Sequence, residues 1–257
     1  EPPRFHVRVH VPDATAAAAD LEAEGFDVLE GGVTTGAIEL IATDAERTAL
    51  QARFGAVDLI ATGRPFLDIQ AERAAGAGDV PPDGYPTLDE VYQRMADAAA
   101  RRPDLCRVGD LTAELGTPTT EEGRNLFAVK LSRSVDLDED EPAALIVSLH
   151  HAREIVTPVI ALHAIDQLVD DYGVDPIVTD ILDTQEVWIA PIWNPDGYDY
   201  VFTQDNTWRK NRRDNGDGTF GVDQNRNYPF GWDTSSCAGS KQTSSQTYKG
   251  PAAASEP

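Results

Sequence analysis

The stretch that most constrains the fold is residues 143–154, AALIVSLHHARE. Its first seven residues are all apolar except Ser148, which predicts a strand buried on both faces. Residues 155–169 then repeat apolar side chains at helical spacing. The polar residues between these elements are His150, His151, Arg153 and Glu154. They lie where a buried strand ends and a helix begins, which is where open α/β sheets bind ligands.

His151 and Glu154 are three residues apart. On the first turn of a helix this spacing brings both side chains to one face, close enough to share a small cation. Imidazole and carboxylate are ordinary zinc ligands. The alternative is that this cluster caps a helix and forms surface ion pairs. Partners elsewhere in the chain decide between the two interpretations.

The net charge of −23 over 257 residues limits the partners of this protein. A surface this acidic argues against nucleic acid or an anionic membrane as partner. No apolar run reaches membrane-spanning length. The two cysteines, Cys106 and Cys237, allow one disulfide, but the sequence leaves open whether they pair.

The amino-terminal residues, 1–67, predict a compact unit with the order β-α-β-β-α-β, typical of a ferredoxin-like sandwich. The second and third strands are expected to flank a turn at Gly31-Gly32. Residues 68–84 lack an apolar period and are rich in Gly, Pro and Ala, which predicts an exposed linker. His6 and His10 lie on one face of the first strand, which favours a solvated strand face over a metal site.

A second unit is predicted from residue 85 to residue 257. Thr87 and Glu90 form a capping-box pattern that begins a helix. Strands are expected near residues 106–108, 125–131 and 186–192, and Asp175-Pro176 is typical of another helix start.

Three later clusters carry chemistry suited to a zinc site that acts on a charged peptide end. WRKNRR, at residues 208–213, offers a guanidinium that can hold a developing oxyanion. Asn225 and Arg226, within GVDQNRN at residues 221–227, offer an amide and a planar fork suited to a carboxylate. The third cluster is the terminal segment SSQTYKGPAAASEP, for which no physical role follows. Each cluster alone is also typical of a surface patch or a turn.

Taken in order, HHARE, NPDGY, WRKNRR, GVDQNRNY and the terminal segment resemble the zinc carboxypeptidase family of the carboxypeptidase A and carboxypeptidase T kind. The resemblance covers about residues 84–257. It implies an α/β, mixed-sheet zinc carboxypeptidase domain, here preceded by a small ferredoxin-like βαββαβ prodomain.

The resemblance also implies roles for single residues. His151 and Glu154 would be the first two ligands of one catalytic Zn²⁺, and Arg209 would be the catalytic residue that polarises the scissile carbonyl. Asn225 and Arg226 would bind the terminal carboxylate of the substrate, and Arg153 would contact the substrate further from the cut.

The main departure from the family pattern concerns residues that the family places further along the chain. These are a second His ligand, a Tyr over the substrate and a Glu that acts as general base. After Glu154 the only histidine is His163, about three turns into the predicted helix and too far along it to reach the metal. We therefore expect only about the first half of the peptidase domain to be present, and this chain to be inactive by itself. Ile155 also stands where the family often has Trp.

The expected function is that of a secreted metallocarboxypeptidase, made as a zymogen, that removes carboxy-terminal residues from peptides and proteins. We expect the complete protein to be a monomer. Two alternatives remain open. One is a zinc amidase or deacylase of the same fold, and the other is a non-catalytic module that binds carboxy termini.

Overall fold

The computed structural model describes residues 3–75, 84–137, 139–234 and 239–257. The chain forms two compact units that are not contiguous in sequence. One comprises residues 1–78 with 200–256, and the other comprises residues 79–199 with Pro257.

The first unit begins with the predicted βαββαβ order. The elements are β1 (Phe5–His10), α1 (Ala14–Glu24), β2 (Asp27–Thr34), β3 (Ala37–Ala42), α2 (Asp44–Phe54) and β4 (Val57–Thr62). They form a sheet of order β2-β3-β1-β4 whose neighbouring strands are all antiparallel. The alternating side chains of β1 bury Val7 and Val9 against Leu21 of α1 and Leu50 of α2.

Two local expectations for this part of the chain are wrong. The Gly31-Gly32 pair does not form the hairpin turn, because β2 continues to Thr34 and the turn follows it. Gly31 has a φ of 77°, and the register with β3 shifts between Val28 and Val33, so the glycines form an irregularity within the strand. Residues from Phe66 to Ala75 form helix α3, where a linker was expected from residue 68. Residues 76–83 lie outside the described part of the chain.

The rest of the first unit is mostly turns. Helix α8 (Pro195–Thr203) runs into it, and a 3₁₀ turn forms at Gln224–Arg226.

The second unit contains a mixed sheet. Its elements are α4 (Leu88–Arg101), β5 (Cys106–Asp110), α5 (Leu111–Leu115), β6 (Phe127–Leu131), β7 (Ala143–Val147), α6 (Val156–Asp171), α7 (Pro176–Thr184) and β8 (Glu186–Ala190). The strand order is β5-β6-β8-β7, in which only the β7–β8 pair is parallel. The predicted caps are present: Thr87 and Glu90 form a capping box for α4, and Asp175 caps α7.

Strand β7 is not buried on both faces as its apolar run predicted. Leu145 is 61% exposed and Ile146 is 48% exposed. In the described part of the chain β7 pairs only with β8 and lies at the edge of the sheet, so one flank has no neighbouring strand to cover it.

The cysteines do not form a described disulfide. Cys106 is a buried free thiol, and burial raises its pKa to about 11, whereas Cys237 lies outside the described residues. None of the described helices is long and apolar enough to cross a membrane.

Candidate functional site

The His–Glu pair lies on a turn that connects β7 to α6. His151 Nδ1 lies 2.7 Å from Glu154 Oε1, so the structure brings the two predicted ligands together. They precede the helix instead of occupying its first turn, and the turn is closed by a bond of 3.1 Å from the Glu154 N–H to the His151 carbonyl. His151 is buried, whereas the Glu154 side chain is about one-third exposed.

The backbone just before this turn is unusual. Leu149 is 2% exposed and has a φ of 59°, a left-handed conformation that is uncommon for a residue other than glycine. This conformation redirects the chain between the end of β7 and the pair. Strained backbone of this kind clusters at functional sites.

The NPDGY motif supports the same turn, a role that the sequence did not reveal. The Asn194 side chain is buried and donates to the His150 carbonyl at 3.1 Å. Its oxygen accepts from the Gly197 N–H at 3.0 Å. A Cβ at position 197 would lie 2.8 Å from Ala152 Cβ and 2.7 Å from the Asn194 amide, so only glycine fits there. The motif therefore packs directly against the turn that carries His151.

The side chains of His151 and Glu154 fit part of a zinc site. An imidazole nitrogen and a carboxylate oxygen converge, which is the chemistry that zinc prefers. No group of three His, Cys, Asp or Glu side chains that could hold a metal occurs among the described residues. His163 is exposed on α6 and belongs to no such group among the described residues. His151 and Glu154 would therefore hold zinc as two of its protein ligands.

The other histidines of interest have carboxylate neighbours. On β1, His6 Nε2 lies 2.9 Å from Glu39 Oε2, and His10 Nε2 lies 2.8 Å from Asp58 Oδ2. Cross-strand contacts between histidine and carboxylate side chains account for this face of the sheet.

Arg209 lies in the first unit and is held by a buried carboxylate. Its Nε and Nη2 donate to Asp223 Oδ2 at 3.3 and 3.1 Å, and both side chains are at least 94% buried. A guanidinium fixed in this way costs little to reorganise when negative charge develops beside it. Asp223 is a residue whose role the sequence did not reveal.

Asn225 and Arg226 lie on the 3₁₀ turn of the same unit. Asn225 is exposed and Arg226 is half-buried. Arg226 Nη1 donates to the Asn225 carbonyl at 3.1 Å, whereas its buried Nε has no hydrogen-bond partner among the described residues. The turn thus presents an amide and a guanidinium side by side. Arg153 is partly buried on the turn after β7, and its contact with substrate stays a prediction.

The terminal segment closes this region of the first unit. Glu256 accepts from the Asn211 side chain at 2.6 Å and from Arg213 at 2.9 Å. The buried Asn227 donates to the carbonyls of Lys249 and Ala252 at 2.8 and 2.9 Å. WRKNRR, GVDQNRNY and the SEP end are therefore one hydrogen-bonded assembly, which explains why these distant motifs occur together.

Comparison with known proteins identifies the family of this chain. The family model for zinc carboxypeptidases, Peptidase_M14, matches residues 91–257. The chain is 30% identical over 254 residues to carboxypeptidase A2 of Rattus norvegicus, covering 98% of this chain and 52% of that protein. It is 32% identical over 241 residues to a zinc carboxypeptidase of Saccharothrix mutabilis subsp. capreolus, covering 89% of this chain and 52% of that protein.

A solved structure agrees with these matches. The crystal structure of carboxypeptidase A from Helicoverpa armigera superposes with a TM-score of 0.74 at 25% identity, covering 99% of this chain and 64% of that chain. The mixed-sheet α/β fold is thus the carboxypeptidase fold, and the chain belongs to the zinc carboxypeptidase family. It spans about half the length of the curated relatives it matches.

Proposed function

We propose that this chain is part of a zinc metallocarboxypeptidase that hydrolyses the carboxy-terminal peptide bond of peptides and proteins. The observation that carries this proposal is the 3₁₀ turn, where Arg226 keeps a buried Nε without a partner among the described residues and lies beside Asn225. A terminal carboxylate is the ligand that such a planar fork binds with two parallel hydrogen bonds.

The proposed mechanism assigns one task to each group. Asn225 and Arg226 bind the substrate's terminal carboxylate, and Arg209 donates to the scissile carbonyl oxygen as negative charge develops on it. His151 and Glu154 bind zinc, which when bound polarises the carbonyl and lowers the pKa of water to about 7. The further zinc ligand and the general base are to be sought outside the described residues. In line with the family, the complete protein is proposed to be a secreted monomer.

The test uses a protein that carries these residues together with the remainder of the family domain. Hydrolysis of amino-blocked dipeptides is measured as free acids and as amides, with and without a zinc chelator. We expect chelation to abolish hydrolysis of the free acids. Replacing Arg226 by Ala or Lys should lower kcat/KM on free acids by about 10²–10³-fold, on the order of truncating one partner of a charge pair. Residual hydrolysis of amides should change far less.

The control is Arg133→Ala, because Arg133 is an exposed arginine remote in sequence from these motifs. This variant should retain full activity. Equal losses on acids and amides in the Arg226 variants would contradict carboxylate recognition. Efficient amide hydrolysis by the parent protein would favour the amidase alternative, and free-acid binding without hydrolysis would favour the binding module.

We also propose that residues 1–67 are the inhibitory prodomain of a zymogen. Support comes from contacts inside the first unit. Arg64 and Asn206 exchange two hydrogen bonds, from the Arg64 N–H to Asn206 Oδ1 at 3.0 Å and from the Asn206 N–H to the Arg64 carbonyl at 2.8 Å. The Arg4 guanidinium stacks 4.7 Å from the ring centroid of Trp208. The amino-terminal elements are therefore attached to the segment that carries Arg209.

A further inference from the structure

Asp223 contacts the two candidate binding groups of the first unit with different oxygens. Oδ2 accepts from the Arg209 guanidinium at 3.1 and 3.3 Å, and Oδ1 accepts from the Asn225 N–H at 3.0 Å. The second bond caps the 3₁₀ turn, and the Arg226 N–H closes that turn on the Asp223 carbonyl at 2.9 Å. One carboxylate thus touches Arg209 and the turn that carries Asn225 and Arg226.

The surroundings of Asp223 make it rigid. The residue has no exposed surface, and its N–H donates to the Tyr248 carbonyl at 2.8 Å. The two oxygens of a carboxylate are held at a fixed separation by one planar group. The Arg209 guanidinium and the Asn225 N–H, which bind different oxygens, are therefore held at a fixed distance from each other.

From this geometry we infer that Asp223 is a positioning residue that sets the distance between the group that binds the scissile carbonyl and the pair that binds the terminal carboxylate. This inference rests on the proposed function. When the substrate's terminal carboxylate binds Arg226, its scissile carbonyl faces the guanidinium of Arg209, whose orientation is already fixed. Misplacing reacting groups by about 1 Å can cost about 10²-fold in rate, so such a tie has a large effect on turnover.

Asp223→Asn separates the two contacts. The asparagine oxygen can still accept from the Asn225 N–H, whereas its NH₂ group faces the guanidinium as donor against donor. Measured in the complete protein on free-acid dipeptides, this variant should lower kcat by on the order of 10²-fold, comparable with losing one oxyanion donor. KM should stay nearly unchanged, because the turn with Asn225 and Arg226 keeps its cap.

Asp217→Asn is the matched control. Asp217 also accepts from a backbone N–H two residues ahead, that of Thr219 at 2.9 Å, but it lies in an exposed turn and contacts neither Arg209 nor Arg226. Both kinetic constants should stay at the parent values in this variant. A double-mutant cycle adds Arg209→Gln: if Asp223 acts through Arg209, Asp223→Asn should cause little further loss of kcat in the Arg209→Gln background.

A second measurement keeps the test independent of whether Asp223→Asn folds. In the parent 257-residue chain, the Arg209 Nε–Hε group should give a distinct NMR signal with slow hydrogen exchange, as expected for a buried donor on a carboxylate. Rapid exchange would overturn the inference, as would additive losses in the cycle or a rise in KM equal to the fall in kcat. A parent protein that does not cleave free-acid peptides would instead refute the proposed function, while slow exchange of Arg209 would still support the tie.

Discussion

At the scale of single residues, Leu149 shows most clearly that the site imposes conformations at an energetic cost. Its side chain is buried, yet its backbone adopts a φ of 59°. Such a conformation costs on the order of 1–3 kcal/mol in a residue other than glycine. The surrounding packing must offset that cost. The same conformation sets the direction of the chain that carries the next two residues, His150 and His151.

This conflict predicts an unusual mutational pattern in the 257-residue chain. Leu149→Ala should destabilise the fold by about 2–5 kcal/mol, because it empties a buried site. Leu149→Gly removes one more carbon and costs about 0.5–1 kcal/mol more backbone entropy than alanine, but it escapes the strain of about 1–3 kcal/mol because glycine adopts a positive φ readily. We therefore expect the glycine variant to be at least as stable as the alanine variant in urea unfolding.

Leu21 is the control for this comparison, because it is fully buried within helix α1. There glycine should be less stable than alanine by about 1 kcal/mol. If glycine is also the less stable replacement at position 149, the backbone at Leu149 is not strained.

The sequence predicted that His151 and Glu154 lie together, but it did not predict the residues that support them. His151 and Glu154 were identifiable because their spacing and residue types match a local ligand pattern, and the structure brings them together. Asp223 and Asn194 were not, because Asp223 binds Arg209 from 14 positions away and Asn194 binds the His150 carbonyl from 44 positions away. Contacts of that length depend on the tertiary fold and leave no local pattern in the sequence.

At the scale of elements, strands β6 and β8 are joined by a buried ion pair. Lys130 of β6 and Glu186 of β8 form a salt bridge, and each is less than 10% exposed. Lys130 also donates to the Leu137 carbonyl at 2.6 Å, and Trp188 donates to Glu186 at 3.1 Å. Burial alone would raise the pKa of Glu186, but the bonds from Lys130 and Trp188 outweigh it and hold that pKa below its ordinary value of 4.5.

Lys130→Met should therefore destabilise the chain by about 3–5 kcal/mol at pH 7, because it leaves Glu186 buried without its cation. A depressed folded pKa contributes stability that is present above the unfolded value and is lost as pH falls through the folded value. In the variant, Glu186 instead escapes its penalty by taking up a proton. The stability difference between parent and variant should thus shrink from pH 7 to about pH 4.

The check is urea unfolding at both pH values, with Lys130→Met/Glu186→Leu as the matched control. That double variant removes both charges and should recover most of the lost stability. A penalty of the same size at both pH values, or a double variant as unstable as the single one, would contradict the role of the pair.

The elements themselves were largely predictable, and their errors have physical causes. Amphipathic helices with explicit caps, such as α4 and α7, begin where their caps predict. Strand β7 has the composition of a central strand but lies at the edge of the described sheet, because composition reports burial in the whole fold and not the neighbours that cover it. Helix α3 lies in a stretch rich in Ala and charges, where a weak apolar period gives little helical signal.

At the scale of the whole molecule, chain order and compact units do not coincide. The amino-terminal elements share a unit with residues 200–256, which include Arg209 and Arg226. Sequence patterns report on neighbouring residues, so they could not predict this grouping. Phe66 and Phe202 illustrate the contact, with ring centroids 5.3 Å apart in an edge-to-face arrangement. The proposed inhibitory influence of the amino-terminal residues on the segment with the candidate catalytic arginine would act through such contacts.

The last prediction tests that influence. If residues 1–67 inhibit the enzyme, replacing residues 78–83 by a site for a specific protease and cutting there should raise kcat/KM on free-acid peptides. The test again uses a protein that carries the remainder of the family domain. Loosening the attachment should act in the same direction without any cut. Arg4→Ala with Asn206→Ala removes the stacking on Trp208 and one bond to Arg64, and should raise the activity of the uncut protein.

The control for loosening is Arg53→Ala, which removes an exposed ion pair with Glu24 on the amino-terminal elements. Arg53 has no ion pair or ring contact with the described residues of 200–256. Exposed pairs contribute about 0–1 kcal/mol, so this change should leave the uncut activity where it was. Before cutting, the protein with the protease site must have the same kcat/KM as the parent. Cleavage that separates the amino-terminal residues while kcat/KM stays constant would show that these residues serve folding or stability and do not inhibit the enzyme.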